Sequence, residues 1–423
     1  MDDKNKDDSQ YAKLELEQKT LEVAQESRWC TIPQHILIKV FMYLSLVDRT
    51  KASMVCQYWN RTYHLPDLWQ VFEFEFNQES TSYFKSTPKN LISNVLGQHI
   101  QDLQYVSIKV DSSKESAESA CKILSRLMKC SLKTLNLMSL AKPSFNLVKK
   151  EDFVSAVNVV FVNSNHLSSL AISDTPVDDP SIACLAKENQ NSLTFLDMDS
   201  CTKISPQGIL FVADRCQQLR ELSINYSQLS DKLLLSLCSE EHVKLENLRI
   251  KISNESQEKS KFHKISKKSW DALSKHSPNL ILVMSFYINK DVCFDSFFNF
   301  ECPVTHLYFG HSVSREVLSR IGDHCPNLCE LVVCANGMHL LDKELIKIGK
   351  HCINMSSLGL GECEISCSAM VEFTRICGSR LKSLFVREGV LQEDDAYGLE
   401  SMCNEVSWNL GRPWSCEEAP CWD

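Results

Sequence analysis

Ile36, Leu37, Val40, Phe41 and Leu44 fall at i, i+1, i+4, i+5 and i+8, one apolar face at helical spacing. Pro33 suits the first turn of that helix, where its missing N–H costs nothing. Leu46 and Val47 bridge to Asp48, an expected N-cap for a second short helix carrying Ala52, Met54 and Val55. Gln57 to Tyr63 continues as a third, with Trp59 inward. A helical piece of roughly 45 residues is small for independent stability, so it is expected to lean on a neighbour or a partner.

Beyond about residue 68 the apolar pattern changes to Leu-x-x-Leu-x-Leu, with conservative swaps, and recurs many times. Leu132, Leu135 and Leu137 form one unit; Leu167, Leu170 and Ile172, Leu193, Leu196 and Met198, Leu219, Leu222 and Ile224, and Leu245, Leu248 and Ile250 follow. Val304, Leu307 and Phe309 open a later series that runs to Leu381, Leu384 and Val386, and Leu103, Val106 and Ile108 give an early copy. The middle position steps from 170 to 196, 222 and 248, a period of 26. It resumes at 307, 331, 358 and 384. A degenerate copy is expected near Leu280–Met284, and the polar insertion Ser253 to Lys264 is expected to be a surface loop. The period lies within the ~20–29 residues of a leucine-rich repeat. Each unit supplies one short parallel strand and one outer helix, and stacking buries the leucines in a continuous core. The fold class is therefore α/β: an N-terminal all-α helical domain, then a curved leucine-rich-repeat solenoid with a concave parallel sheet.

Composition narrows the function. Of 423 residues, 43% are hydrophobic and 23% charged, as in ordinary globular chains, and the net charge of -9 argues against nucleic acid as a partner. Residues 1–28 are charged, lack the apolar stretch of a secretory signal and are expected to be a disordered tail; no run approaches the ~18 apolar residues of a membrane helix. Twenty cysteines without a CxxC pair argue for buried thiols rather than metal ligands or disulfides. Cys130, Cys216, Cys325, Cys352 and Cys377 precede a middle leucine, and Cys201, Cys334 and Cys363 follow one, as in the cysteine-rich subtype of the repeat. No P-loop, GxGxxG, HExxH or GxSxG is present, so neither a cofactor nor a catalytic residue is assigned.

The outward positions of the strands change character along the chain. Early repeats place Asp197, Ser223 and Arg249 there; late ones place Tyr308, Val332, Gly359 and Phe385, which points to a partner-covered surface. After the last strand Leu399, Met402, Val406 and Leu410 make a helical stripe fit to cap the solenoid, stopped by Gly411 and Pro413. Trp414 and Trp422 lie in a tail with no periodicity. A tail tryptophan either packs back on the solenoid or inserts into a partner.

Ile32-Pro33-Gln34-His35-Ile36-Leu37, Val40-Phe41-Met42-Tyr43-Leu44 and Val55-Cys56-Gln57-Tyr58-Trp59 together resemble the F-box, with His35 where that motif usually has an acidic residue. The resemblance implies docking to the Skp-type adaptor of a cullin–RING ubiquitin ligase through Pro33, Ile36, Leu37, Phe41 and Leu44, some facing the adaptor and others the domain's own core. With the repeats, the chain resembles the F-box and leucine-rich-repeat proteins. Val110 to Glu118 (VDSSKESAE), Asp174 to Ser181 (DTPVDDPS), Thr305 to Gly310 (THLYFG) and Leu331 to Gly337 (LVVCANG) resemble their cryptochrome-binding members. That likeness implies a non-catalytic substrate receptor acting on cryptochromes in circadian rhythm; the outward strand positions and the tail make Tyr308, Val332, Phe385, Trp414 and Trp422 the expected substrate contacts, and the lack of signal and membrane segments points to nucleus and cytoplasm. Leu410-Gly411-Arg412, Trp414 and the near-terminal Trp422 resemble the tail that in those members enters the flavin pocket, although here Asp423 follows the last tryptophan. A receptor for another protein, or a repeat scaffold without ubiquitin transfer, are the alternatives. The expected divisions are a tail over 1–28, the F-box over 29–75, the solenoid with its capping helix over 76–410, and a tail over 411–423.

Overall fold

The computed structural model describes residues 29, 31–79, 85–142, 144–253, 262–288, 296–310, 313–334 and 340–416. Three short helices open it: α1 (Gln34–Tyr43), α2 (Leu46–Ser53) and α3 (Gln57–Tyr63). Pro33, fixed near φ -54°, sits at the N-cap of α1. Ser45, not Asp48, caps α2: its Oγ accepts from the Asp48 N–H at 3.1 Å and donates to Asp48 Oδ2 at 2.8 Å. Asp48 thus holds the third position of a capping pair rather than the cap. Leu37 and Phe41 are fully buried, and Trp59 meets the Phe41 ring edge-on at 5.6 Å.

Twelve strands form one parallel sheet in which consecutive repeats are neighbours: β1 (Val71–Phe76), β2 (Tyr105–Val110), β3 (Thr134–Ser139), β4 (Ser169–Ala171), β5 (Phe195–Asp197), β6 (Glu221–Asn225), β7 (Asn247–Ser253), β8 (Ile281–Tyr287), β9 (His306–Phe309), β10 (Glu330–Val333), β11 (Ser357–Leu360) and, after the two-residue β12 (Ile365–Ser366), β13 (Ser383–Val386). β12 pairs separately with β14 (Leu391–Gln392). The register aligns the middle leucines: Leu135 with Leu170, Leu196, Leu222, Leu248 and Leu282, then Met284 with Leu307, Leu331, Leu358 and Leu384. All are buried. The degenerate copy near Leu280–Met284 is strand β8. β1 carries phenylalanines at the alternate inward positions, Phe72, Phe74 and Phe76, so the sheet begins at Val71, ahead of the expected 75/76 division. Of the insertion expected as a surface loop, residues 254–261 lie outside the described residues. At its end Phe262 packs edge-on against Tyr226 at 5.7 Å, and the Tyr226 hydroxyl donates to the His263 carbonyl at 2.9 Å.

Several of the described cysteines lie where small side chains separate successive coils. Cys216, Cys325 and Cys352 each close an outer helix and are fully buried, and the Cys352 thiol donates to the Cys325 carbonyl of the preceding coil at 3.3 Å. Burial pushes the thiols of Cys201, Cys216 and Cys352 up to about 12, so they stay protonated at neutral pH and are not nucleophiles.

A second device joins the coils. Asp179 accepts from the backbone N–H and hydroxyl of Ser205 at 2.8 and 2.6 Å; Asp231 does the same for Ser266, and Asp342 for Ser366. Each of those serines in turn N-caps its own helix. A Cβ on Gly208 would stand 2.2 Å from Asp179 Oδ1, so only glycine leaves room for that clasp.

Candidate partner-binding interface

Two surfaces stand out, one on the N-terminal helices and one along the concave face of the sheet. At the N-terminal end α1 is apolar on both sides. Leu37 and Phe41 turn inward, with Leu44 half-buried. Ile36, Val40 and Tyr43 from α1, Val47 from α2, and Met54 and Val55 beyond it are exposed, Tyr43 to 92%. Pro33 is exposed at the head of the helix. A contiguous apolar surface of this kind, on a helix whose inner face is already filled, marks a protein interface. Of the five residues expected to dock the adaptor, Pro33 and Ile36 face outward, Leu44 is intermediate, and Leu37 and Phe41 serve the domain's own core. Val40, Tyr43, Val47, Met54 and Val55 are exposed near them and were not among the expected five. The i, i+1, i+4, i+5 spacing covers more of the helix circumference than one core contact needs, and that excess was the available signal.

This unit is fastened to the solenoid. The Arg49 guanidinium donates to the carbonyls of Phe41 and Leu68 at 3.0 and 2.9 Å. Trp69 donates its indole N–H to the Tyr63 carbonyl at 2.6 Å and stacks on His99 with ring centroids 4.1 Å apart. His99 reaches Asp102 through Nδ1 at 3.2 Å and His64 through Nε2 at 3.3 Å. Burial outweighs the Asp102 hydrogen bond and holds the His99 imidazole below its ordinary pKa.

Along the inner face of β5 to β9 runs a groove of about 560 Å³. Lys251 crosses it to Asp199 at 3.2 Å and lies over the Tyr287 ring at 5.2 Å. The Tyr308 hydroxyl donates to Glu330 Oε1 at 2.7 Å; burial, then this carboxylate, push its pKa above the ordinary value. Arg249 is exposed in the groove. Beyond it the face becomes apolar, but Val332 is not an open contact: it is 3% exposed, and Gly359 beside it is also buried. Phe385 is half-buried. Tyr308, Val332 and Phe385 therefore share one face of successive strands, with Val332 already covered where an accessible contact was expected.

Trp414 is placed against the solenoid itself. The Leu399–Leu410 helix buries Met402 and Val406, Gly411 ends it at φ 66°, and the chain turns back. Trp414 then donates its indole N–H to the Leu384 carbonyl at 2.9 Å, on the outer edge of β13, and packs half-buried on the core. That arrangement is the alternative to partner insertion for this residue. Trp422 lies outside the described residues. No group of three His, Cys, Asp or Glu among the described residues is arranged to hold a metal, and no helix among them is long and apolar enough to cross a membrane.

Comparison with known proteins agrees with this organisation. The F-box-like family matches residues 29–74. The chain is 57% identical to F-box/LRR-repeat protein 21 of Mus musculus over 394 residues, covering 93% of this chain and 91% of the relative. The chain belongs to the F-box/leucine-rich-repeat family. The same-named protein of Bos taurus is 54% identical with the same coverage, and F-box only protein 33 of Homo sapiens is 20% identical over 91% of this chain and 82% of its own. Among solved structures, the yeast Rad7 and Elc1 complex aligns with 92% of this F-box/leucine-rich-repeat chain and 96% of its counterpart, at 14% identity and a TM-score of 0.38.

Proposed function

We propose that this chain is the non-catalytic substrate-recognition subunit of an SCF-type (Skp, cullin, F-box) ubiquitin ligase, and that it directs ubiquitination of cryptochromes in circadian rhythm, in nucleus and cytoplasm. One observation carries the ligase part. A helical unit matched by the F-box-like family leaves Ile36, Val40, Tyr43 and Val47 exposed on one side while its other side is bolted to a repeat solenoid. The cryptochrome part rests on the likeness of residues 110–118, 174–181, 305–310 and 331–337 and of the tryptophan-bearing tail to the cryptochrome-binding members. The groove and the apolar end of the sheet face the same side as Phe385, next to where the tail leaves.

The test uses two sets of variants of the full chain. Val40→Asp with Val47→Asp should lose the Skp-type adaptor in co-purification at an unchanged melting temperature while cryptochrome capture persists. Truncation after Cys416, or Trp422→Ala, should lose cryptochrome while the adaptor stays, and free flavin should compete with the parent. Phe385→Asp should weaken capture by more than ~1 kcal/mol, the scale of an interface hot spot. Retained adaptor binding in the first variant overturns the ligase reading. Retained cryptochrome binding without the tail, with no flavin competition, overturns pocket insertion. Adaptor binding with no cryptochrome capture at all leaves a receptor for a different protein.

A further inference from the structure

The turn at Gly411 brings two thiols face to face. The Gly411 N–H bonds to the Trp408 carbonyl at 3.1 Å and the Arg412 N–H to the Ser407 carbonyl at 3.2 Å, so the chain reverses and runs back along the helix it has just left. Ser407 fixes the register of that return: its Oγ accepts from the Trp414 N–H at 2.9 Å. One helical turn before Ser407 stands Cys403, and two residues beyond Trp414 stands Cys416. Their Sγ atoms are 3.7 Å apart, within hydrogen-bond reach. Both residues are half-buried, whereas Cys216, Cys325 and Cys352 between the coils are fully buried. Cys367, the other thiol in this region, is fully buried, and burial raises it to about 11.

We propose that Cys403 and Cys416 are a modification site at which a peroxide-class oxidant forms a reversible disulfide, stapling the C-terminal segment to the capping helix. One thiolate attacks a peroxide oxygen; the O–O bond breaks and hydroxide leaves, giving a sulfenic acid. The second sulfur, already in contact, attacks the first; the S–O bond breaks and the oxygen departs as water. In sum two thiols and one peroxide give one disulfide and two waters. A thiol of the glutathione class reverses the bond by exchange. Bonding requires the sulfurs to close from 3.7 Å to about 2.05 Å. The link fixes the point from which residues 417–423 depart. That it controls substrate capture rests on the proposed function; the chemistry of the pair does not.

The experiment treats the full chain, in complex with its adaptor, with graded hydrogen peroxide, blocks the remaining thiols with an alkylating agent, and maps non-reduced peptides by mass spectrometry. A Cys403–Cys416 peptide should form at lower peroxide than any other cross-link, lose alkylation at both positions in step, and revert with reduced glutathione. In Cys416→Ser, Cys403 should accumulate as sulfenic acid or its adduct with a trapping dione, and no cross-link should form from it. Independent alkylation of Cys403 and Cys416 at peroxide levels that oxidise other cysteines overturns the proposal, as does a bond from Cys403 to Cys367. A cross-link that forms while cryptochrome capture is unchanged upholds the site and removes only its control of the tail.

Discussion

Ile36 and Leu37 are neighbours in the chain with opposite tasks. Leu37 is fully buried, and Leu37→Ala should cost about 2–5 kcal/mol in denaturant unfolding, the transfer and cavity terms together. Ile36 is 43% exposed, and Ile36→Ala should cost under about 1 kcal/mol while weakening adaptor binding. Equal losses of stability would place both residues in one core. Buried histidines set a pH window. His99, His242 and His306 are all held by burial below the ordinary value, so near pH 6 the unfolded chain binds more protons than the folded one. Stability should hold above about pH 7 and fall as pH drops through ~6.5, by at most about 1.4 kcal/mol per pH unit for each proton taken up. Melting curves of His242→Asn should show a shallower fall, and an identical slope would dissociate His242 from it. Asp231 works in another window. Burial opposes its charge, but hydrogen bonds from Ser269 and Ser266 outweigh that and lower its pKa, so its contribution is present at neutral pH and lost only below about pH 4.

The elements were legible where one residue type carried the period. Nine middle leucines, in two runs stepping by 24 to 27 residues plus Leu135, located their strands, and the flanking cysteines were explained by the same coils. Strand β1 escaped because phenylalanine replaces leucine there, although Phe72, Phe74 and Phe76 alternate with Glu73 and Glu75 in plain strand period. The Asp–Ser clasps escaped because they join residues 24 to 35 positions apart, as the pairs Asp342–Ser366 and Asp231–Ser266 show. Direction along a strand was readable, whereas coverage was not: alternation puts Val332 on the inner face, and no pattern in one strand states what lies over it. The edge of the last strand is a further element-scale feature. An open parallel edge invites pairing with other chains, and Trp414 occupies a carbonyl of β13 with its indole. Trp414→Ala should cost about 1–3 kcal/mol and raise the tendency to associate, read by thermal melting and light scattering. An unchanged melting temperature would return Trp414 to the role of a free partner contact.

At the scale of the molecule, the F-box helices and the solenoid share one packed body. Phe41, Tyr63, Trp69 and His99 form a continuous junction, with no flexible linker between α3 and β1. Deleting residues 29–60 should therefore lower the melting temperature of the remaining repeats as well as remove adaptor binding, and unchanged melting would mean the two parts fold separately. The unbroken run of strands from β1 to β13 has a consequence for geometry of delivery. Twelve strands at about 4.8 Å give the sheet a path of roughly 50 Å from first strand to last, a length fixed by backbone hydrogen bonds rather than by a hinge. Under the proposed function such a chain would work as a ruler. Which lysines of a held client came within reach of the transferring enzyme would then follow from the repeat count, and a duplicated repeat should shift that choice along the client's surface without touching either grip.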